Sequence, residues 1–223
     1  MEYADTLRFW MDVVFHPGKA TKRALGVKEA LKLYYSLAVI PIVLGAIVVV
    51  AVGGFNPFSP TMSVLGLGNA AASGQSASGI AIGIGYLLLM LLVVVPITVL
   101  INSGIYHMIV GKLFNIYKKD YAKVFMAMVY GLFPVLLVYW LCPFRLVGGA
   151  IIALVGIWSF IVDIIAISNQ LGMSRLKAFG TLVLNGIIVG LIALVIFAVI
   201  AMFAIVSMAK TGALAGMLGS KAA

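Results

Sequence analysis

The chain has 223 residues, 64% hydrophobic and 9% charged, against about 45–50% and about 25% for a soluble globular domain. So little charge cannot cover the surface of a water-soluble fold of this length, which excludes a soluble enzyme or a DNA-binding domain and implies a polytopic membrane protein. The net charge of +9 does not reverse this, because no Asp, Glu, Lys or Arg lies between Lys32 and Lys112, so a continuous basic face for nucleic acid cannot be built.

Residues 1–32 are expected to form a cytoplasmic segment. Tyr3, Leu7, Trp10 and Val14 recur at helical spacing, with Asp5, Arg8 and Asp12 opposite them, which predicts an amphipathic helix. The expected placement is in the membrane interface with the aromatic face on lipid; the alternative is packing on the cytoplasmic loops. Glu2, Asp5 and Asp12 break any apolar core there, so the segment does not read as a cleavable signal peptide. His16-Pro17-Gly18 stops the helix, and a second, basic helix from Lys19 leads into the first span.

Five apolar runs follow, at about 33–53, 79–110, 121–142, 146–168 and 179–208, each long enough to cross a hydrocarbon core of about 30 Å. In the second, Pro96 and the Asn102–Gly104 region are expected to kink the helix or end its membrane part. The fifth exceeds the bilayer thickness and implies tilt. The expected fold is all-α: a polytopic membrane helix bundle with five transmembrane helices plus an N-terminal amphipathic helix. The transmembrane domain covers 33–209, and 210–223 is a short outer tail. The uncharged stretch Gly54–Ser78 reads as a flexible connector.

Charge sets the expected orientation. Arg8, Lys19, Lys22, Arg23, Lys28, Lys32, Lys112, Lys118, Lys119, Lys123, Arg175 and Lys177 fall on one side of this topology, leaving only Arg145, Lys210 and Lys221 on the other. The rule that basic loops stay inside then places the N-terminus in the cytoplasm and the C-terminus outside. Lys112, Lys118, Lys119, Lys123, Arg175 and Lys177 are the candidate contacts to anionic lipid headgroups or an acidic protein partner.

Few groups suggest chemistry. His107 in the second span and Asp163 in the fourth are ionisable residues at comparable depth, hence a candidate intramembrane polar pair. The plainer reading of Asp163 is a hydrated or hydrogen-bonded group near the interface. Asn102 and Asn185 are candidate helix-packing polar residues. Gly186 and Gly190, like Gly79 and Gly83, have the G-x-x-x-G spacing of close helix packing within one chain. Walker A, H-E-x-x-H and G-x-S-x-G patterns are absent, and the one cysteine, Cys142, makes no disulfide or cysteine-based metal site; no enzyme activity, metal or cofactor is expected.

The order of pieces resembles the Yip family, five-span membrane proteins named for interaction with Ypt/Rab GTPases, and in particular its prokaryotic-like members. The resemblance rests on Phe15-His16-Pro17-Gly18-Lys19-Ala20, with its P-x-x-A stretch, and on Tyr106-His107 followed by Lys112-Leu113-Phe114. Further matches are Tyr121 to Phe125 leading to Tyr130 and Pro134, Ile157-Trp158-Ser159, and Gly172-Met173-Ser174-Arg175 before Ala178. The resemblance implies the membrane-spanning domain. It does not imply Rab binding, because the long hydrophilic N-terminus of the eukaryotic members is replaced here by residues 1–32. The expected function is non-enzymatic: membrane organisation or partner scaffolding through the cytoplasmic face of a cell-membrane protein, alone or as a homo-oligomer. The alternative is a small transporter or channel, for protons or ions, with a polar path near His107, Asn102 and Asp163.

Overall fold

The computed structural model describes residues 3–52, 77–114 and 121–210. The connector expected from position 54, up to 76, lies outside the described residues, as do Lys118, Lys119 and the tail from 211. The described residues are mostly helical and contain no strand. Two short elements, α1 (Tyr3–Phe15) and α2 (Pro17–Ala20), precede α3 (Val27–Ala51). α4 (Ala77–Leu89) runs through a π-helical turn (Met90–Val94) into α5 (Val95–Phe114). α6 (Tyr121–Val138) ends in a 3-10 turn, Tyr139–Leu141, before α7 (Arg145–Leu171) and α8 (Arg175–Lys210). Five helices are long and apolar enough to cross a membrane, over Val27–Ala51, Gly79–Ile109, Tyr121–Leu141, Val147–Leu171 and Arg175–Phe203. The chain forms an all-α membrane helix bundle.

Two compact units divide between Thr181 and Leu182. The second is the continuation of α8, an apolar helix. In the first, α6 is the central helix. Every residue from Val124 to Gly131 is buried, and a helix buried on all faces must be surrounded by protein. α7 packs along it most extensively, with α3 and α5 on other sides.

Local chemistry sets the ends. The Glu29 carboxylate accepts the Gly26 backbone N–H at 3.2 Å and places negative charge in the first turn of α3, where the helix dipole favours it. Gly172 ends α7 with φ 63°, a left-handed conformation that is cheap only for glycine. Met173 N–H then reaches the Ser168 carbonyl at 3.2 Å, and the Ser168 hydroxyl donates to the Met173 carbonyl at 2.7 Å. Ser174 caps α8 by accepting the Lys177 backbone N–H at 3.4 Å.

Pro96 explains the π turn and its partners. Val95 N–H bonds to the Met90 carbonyl, five residues back. The next donor in that register belongs to Pro96, which has no N–H, so the Leu91 carbonyl has no helical partner. Tyr34, from α3, donates its hydroxyl to that carbonyl at 2.7 Å. The Leu92 carbonyl, which in α-helical register also faces Pro96, takes the Tyr35 hydroxyl at 3.2 Å. The proline expected to kink the second run thus also fastens α3 to it.

Candidate functional site

The residues that follow α1 are held at the basic end of the first unit by a clamp of neutral polar groups. Pro17 is buried at the first position of α2, where its missing N–H costs nothing. The Thr21 hydroxyl donates back to the Pro17 carbonyl at 2.6 Å. From the end of α7, the Asn169 amide donates to Thr21 Oγ1 at 2.8 Å and to the Gly18 carbonyl at 3.3 Å. The adjacent Gln170 spends both amide hydrogens, on the Thr21 carbonyl at 2.6 Å and the Arg23 carbonyl at 2.9 Å. Tyr130, from α6, donates to the same Arg23 carbonyl at 2.7 Å. The backbone of 17–23, which no sheet or long helix satisfies, is thereby tied to α6 and α7. Replacing Gln170 with leucine is expected to leave the Thr21 carbonyl without its donor, cost about 1–3 kcal/mol, and speed tryptic cleavage after Lys19, Lys22 and Arg23. Unchanged cleavage rates would count against the clamp.

α1 is amphipathic as expected, but its cover differs. The spacing puts Tyr3, Leu7, Trp10 and Val14 on lipid, whereas Trp10 and Val14 are 3% and 5% exposed against protein. The Trp10 indole N–H donates to the Phe133 carbonyl on α6 at 2.9 Å. The Trp158 indole N–H on α7 donates to the Val14 carbonyl at 2.9 Å. Leu7 is half-buried, and the Tyr3 side chain lies outside the described residues. Periodicity locates an apolar face without naming its cover; here the buried Trp10 indole N–H, which needs an acceptor, and the more exposed Trp158 indole N–H are both met by main-chain carbonyls. These partners lie within membrane-length helices, not in loops.

His107 and Asp163 take different partners. The His107 ring stands edge-on to Tyr121 at 6.0 Å. Asp163 lies against α6, where a Cβ on Gly131 would coincide with its carboxylate. Neither a hydrogen bond nor an ion pair joins the two residues. Asp163 Oδ1 is buried without a hydrogen-bond partner, as is Ser159 Oγ one turn before it on the same helix. Tyr106 is fully buried on α5, and its hydroxyl meets Thr181 Oγ1 at 2.6 Å. Thr181 passes its own hydrogen to the Ala178 carbonyl at 2.9 Å, so Tyr106 is the donor in that pair. Polar side chains from α5 and the start of α8 thus bond to each other, while Asp163 of α7 lies against Gly131. Asn102 is half-buried on α5, and Asn185 lies on α8 in the second unit.

The basic candidates fall into two groups. Arg175 and Lys177 are exposed at the start of α8, directly after the α7 end that carries Asn169 and Gln170. Lys19, Lys22 and Arg23 are exposed on the clamped turn, which is fastened to that same α7 end. Lys123 is half-buried on α6. Lys112 lies on α5, with its side chain outside the described residues.

The family model of the Yip1 domain matches residues 11–197. The chain belongs to the Yip family. No curated protein and no solved structure matches it. Within this Yip domain, the Pro17–Ala20 stretch is the start of the clamped turn, and Tyr130, one of the residues carrying the sequence resemblance, is a clamp donor. Trp158, whose indole holds the Val14 carbonyl, also lies in a motif of the resemblance, whereas the sequence reading does not single out Thr21, Asn169 or Gln170. The available signal was a pair of adjacent amides, Asn169-Gln170, two residues before a helix-ending glycine, in a chain otherwise poor in amides.

Proposed function

We propose that this Yip-family membrane protein is non-enzymatic and organises the bilayer around it by holding anionic lipid headgroups on its cytoplasmic face. The observation that supports this is the clamp: Asn169, Gln170 and Tyr130 hold the turn bearing Lys19, Lys22 and Arg23 on the end of α7, the helix end that leads into Arg175 and Lys177. Those amides and the phenol are neutral and bond to backbone carbonyls and the Thr21 hydroxyl, so they fix the turn that bears the basic groups without adding a countercharge. The bias of basic residues toward this end supports a cytoplasmic position for it, where a basic residue near an anionic surface contributes about 1 kcal/mol.

The test is lipid retention by the purified chain in nanodiscs that mix neutral and anionic lipids. Changing Lys19, Lys22, Arg175 and Lys177 to glutamine is expected to reduce the anionic lipid that co-purifies, with about a fivefold loss in affinity for each charge removed, the factor that corresponds to about 1 kcal/mol. Gln170→Leu, which changes no charge but frees the turn, is expected to give a smaller loss in the same direction. Retention equal to wild type in the fourfold variant overturns the proposal.

A second reading, passage of a proton or small cation, is favoured by the unpartnered buried oxygen of Asp163, since a carboxylate at membrane depth needs compensation. It expects ion-gradient-driven flux in proteoliposomes that Asp163→Asn abolishes while leaving the protein folded. Absence of flux in the wild type removes it.

A further inference from the structure

We infer that α1, while docked on the bundle, also contacts the acyl chains of the adjacent leaflet through a stripe other than its buried face: Ala4, Leu7, Met11 and Phe15. At 3.6 residues per turn the thirteen residues of α1 divide into three arcs. Thr6, Trp10, Val13 and Val14 are buried, at 6%, 3%, 0% and 5% exposure. Asp5, Arg8 and Asp12 form an exposed charged arc. Between the two on one side lies an apolar arc in which Met11 is 43% and Phe15 59% exposed, with Ala4 also exposed and Leu7 half-buried.

The surroundings of the two other arcs identify what covers the apolar one. Passing around the helix, the apolar arc begins next to Val14, whose carbonyl is held by Trp158. Beside Trp158 on α7, Ile157 and Ile161 are exposed apolar residues on a helix long enough to cross the membrane. The Met11–Phe15 arc therefore continues a lipid-facing surface. The charged arc ends next to Phe9 on the other side. The Arg23 guanidinium lies over the Phe9 ring, 5.4 Å from its centroid, and Phe9 meets the Tyr130 ring edge-on at 5.9 Å. That side is the clamped basic turn, a surface that requires water. A helix with protein on one arc, hydrocarbon on the second and charge on the third fits the boundary between bilayer and water. The occupant is lipid, whichever headgroup the basic turn prefers, so the inference stands apart from headgroup selection.

The test uses the full chain in nanodiscs, with Cys142→Ser as background and single nitroxides at Met11→Cys, Phe15→Cys, Asp5→Cys and Asp12→Cys. Collision with oxygen, which concentrates in hydrocarbon, is expected to exceed collision with a water-soluble nickel chelate several-fold at positions 11 and 15. The order is expected to reverse at 5 and 12. A second measurement needs no substitution: a lipid carrying a photoactivatable group in its acyl chain is irradiated with the wild-type chain, and adducts are mapped by mass spectrometry. Adducts on Met11 and Phe15, alongside Ile157 and Ile161 of α7, support the inference. Nickel preference at 11 and 15, or protection there from both reagents, overturns it in favour of water or a protein cover. Adducts on Trp10 and Val13 also overturn it, because α1 would then be undocked with its buried face on lipid.

Discussion

Replacing Gly131 with alanine is expected to lower the unfolding free energy of the bundle by about 1–3 kcal/mol, and deleting the Asp163 side chain is expected to restore most of it. A Cβ at position 131 would occupy the place of the Asp163 carboxylate, so in G131A the aspartate must leave its position between packed helices. Double variants separate volume from charge. Asp163→Ala empties the space that the new methyl needs. Asp163→Asn keeps the volume and removes only the charge. G131A/D163A should therefore approach wild type, and G131A/D163N should be as impaired as G131A, measured by thermal unfolding in detergent or by titration with a denaturing detergent. Asp163→Ala alone should cost little, because the carboxylate has a buried oxygen without a hydrogen-bond partner and contributes desolvation without a compensating bond. Equal rescue by alanine and asparagine would show that charge governs the contact and would remove the close-approach argument.

Asp163 and Gly131 also mark the boundary of what the sequence makes legible. An aspartate inside an apolar run is visible because burying it is costly anywhere in a membrane. The glycine beneath it is one of 24 in the chain, and its role depends on a residue of another helix. The same division recurs throughout the fold. The five apolar helices and the amphipathic α1 follow from composition and periodicity, which are local. That Trp10 and Val14 are covered by α6 and α7 depends on hydrogen-bond partners more than a hundred residues away, an acceptor for Trp10 and a donor for Val14, and periodicity carries no term for them. For the basic end, charge counting identified Arg175 and Lys177 but grouped them with the loop around Lys118. The attachment of the Lys19–Arg23 turn to the α7 end that precedes them is made by two uncharged amides, Asn169 and Gln170, to which a charge pattern is blind.

The contact between α3 and the π turn gives the second large expected effect. Tyr34→Phe is expected to cost about 1–3 kcal/mol. The lost hydroxyl is the donor to the Leu91 carbonyl, Tyr34 is 1% exposed, and neither water nor lipid can substitute at a buried site. The cost arises from Pro96, so it should depend on Pro96. In a Pro96→Ala background an N–H becomes available to the carbonyls one turn back, the π turn can relax to α-helical register, and Tyr34→Phe should then cost clearly less than in the wild-type background. Tyr35→Phe should have the smaller effect in either background, since its bond to Leu92 is longer, at 3.2 Å, and the residue is exposed. The difference between the two Tyr34→Phe measurements is the coupling energy of a double-mutant cycle, and contacting residues that share one partner give about 0.5–3 kcal/mol. Additive costs for Tyr34→Phe and Pro96→Ala would mean that the tyrosine stabilises by packing alone, and that the carbonyl left by the proline finds its donor within its own helix.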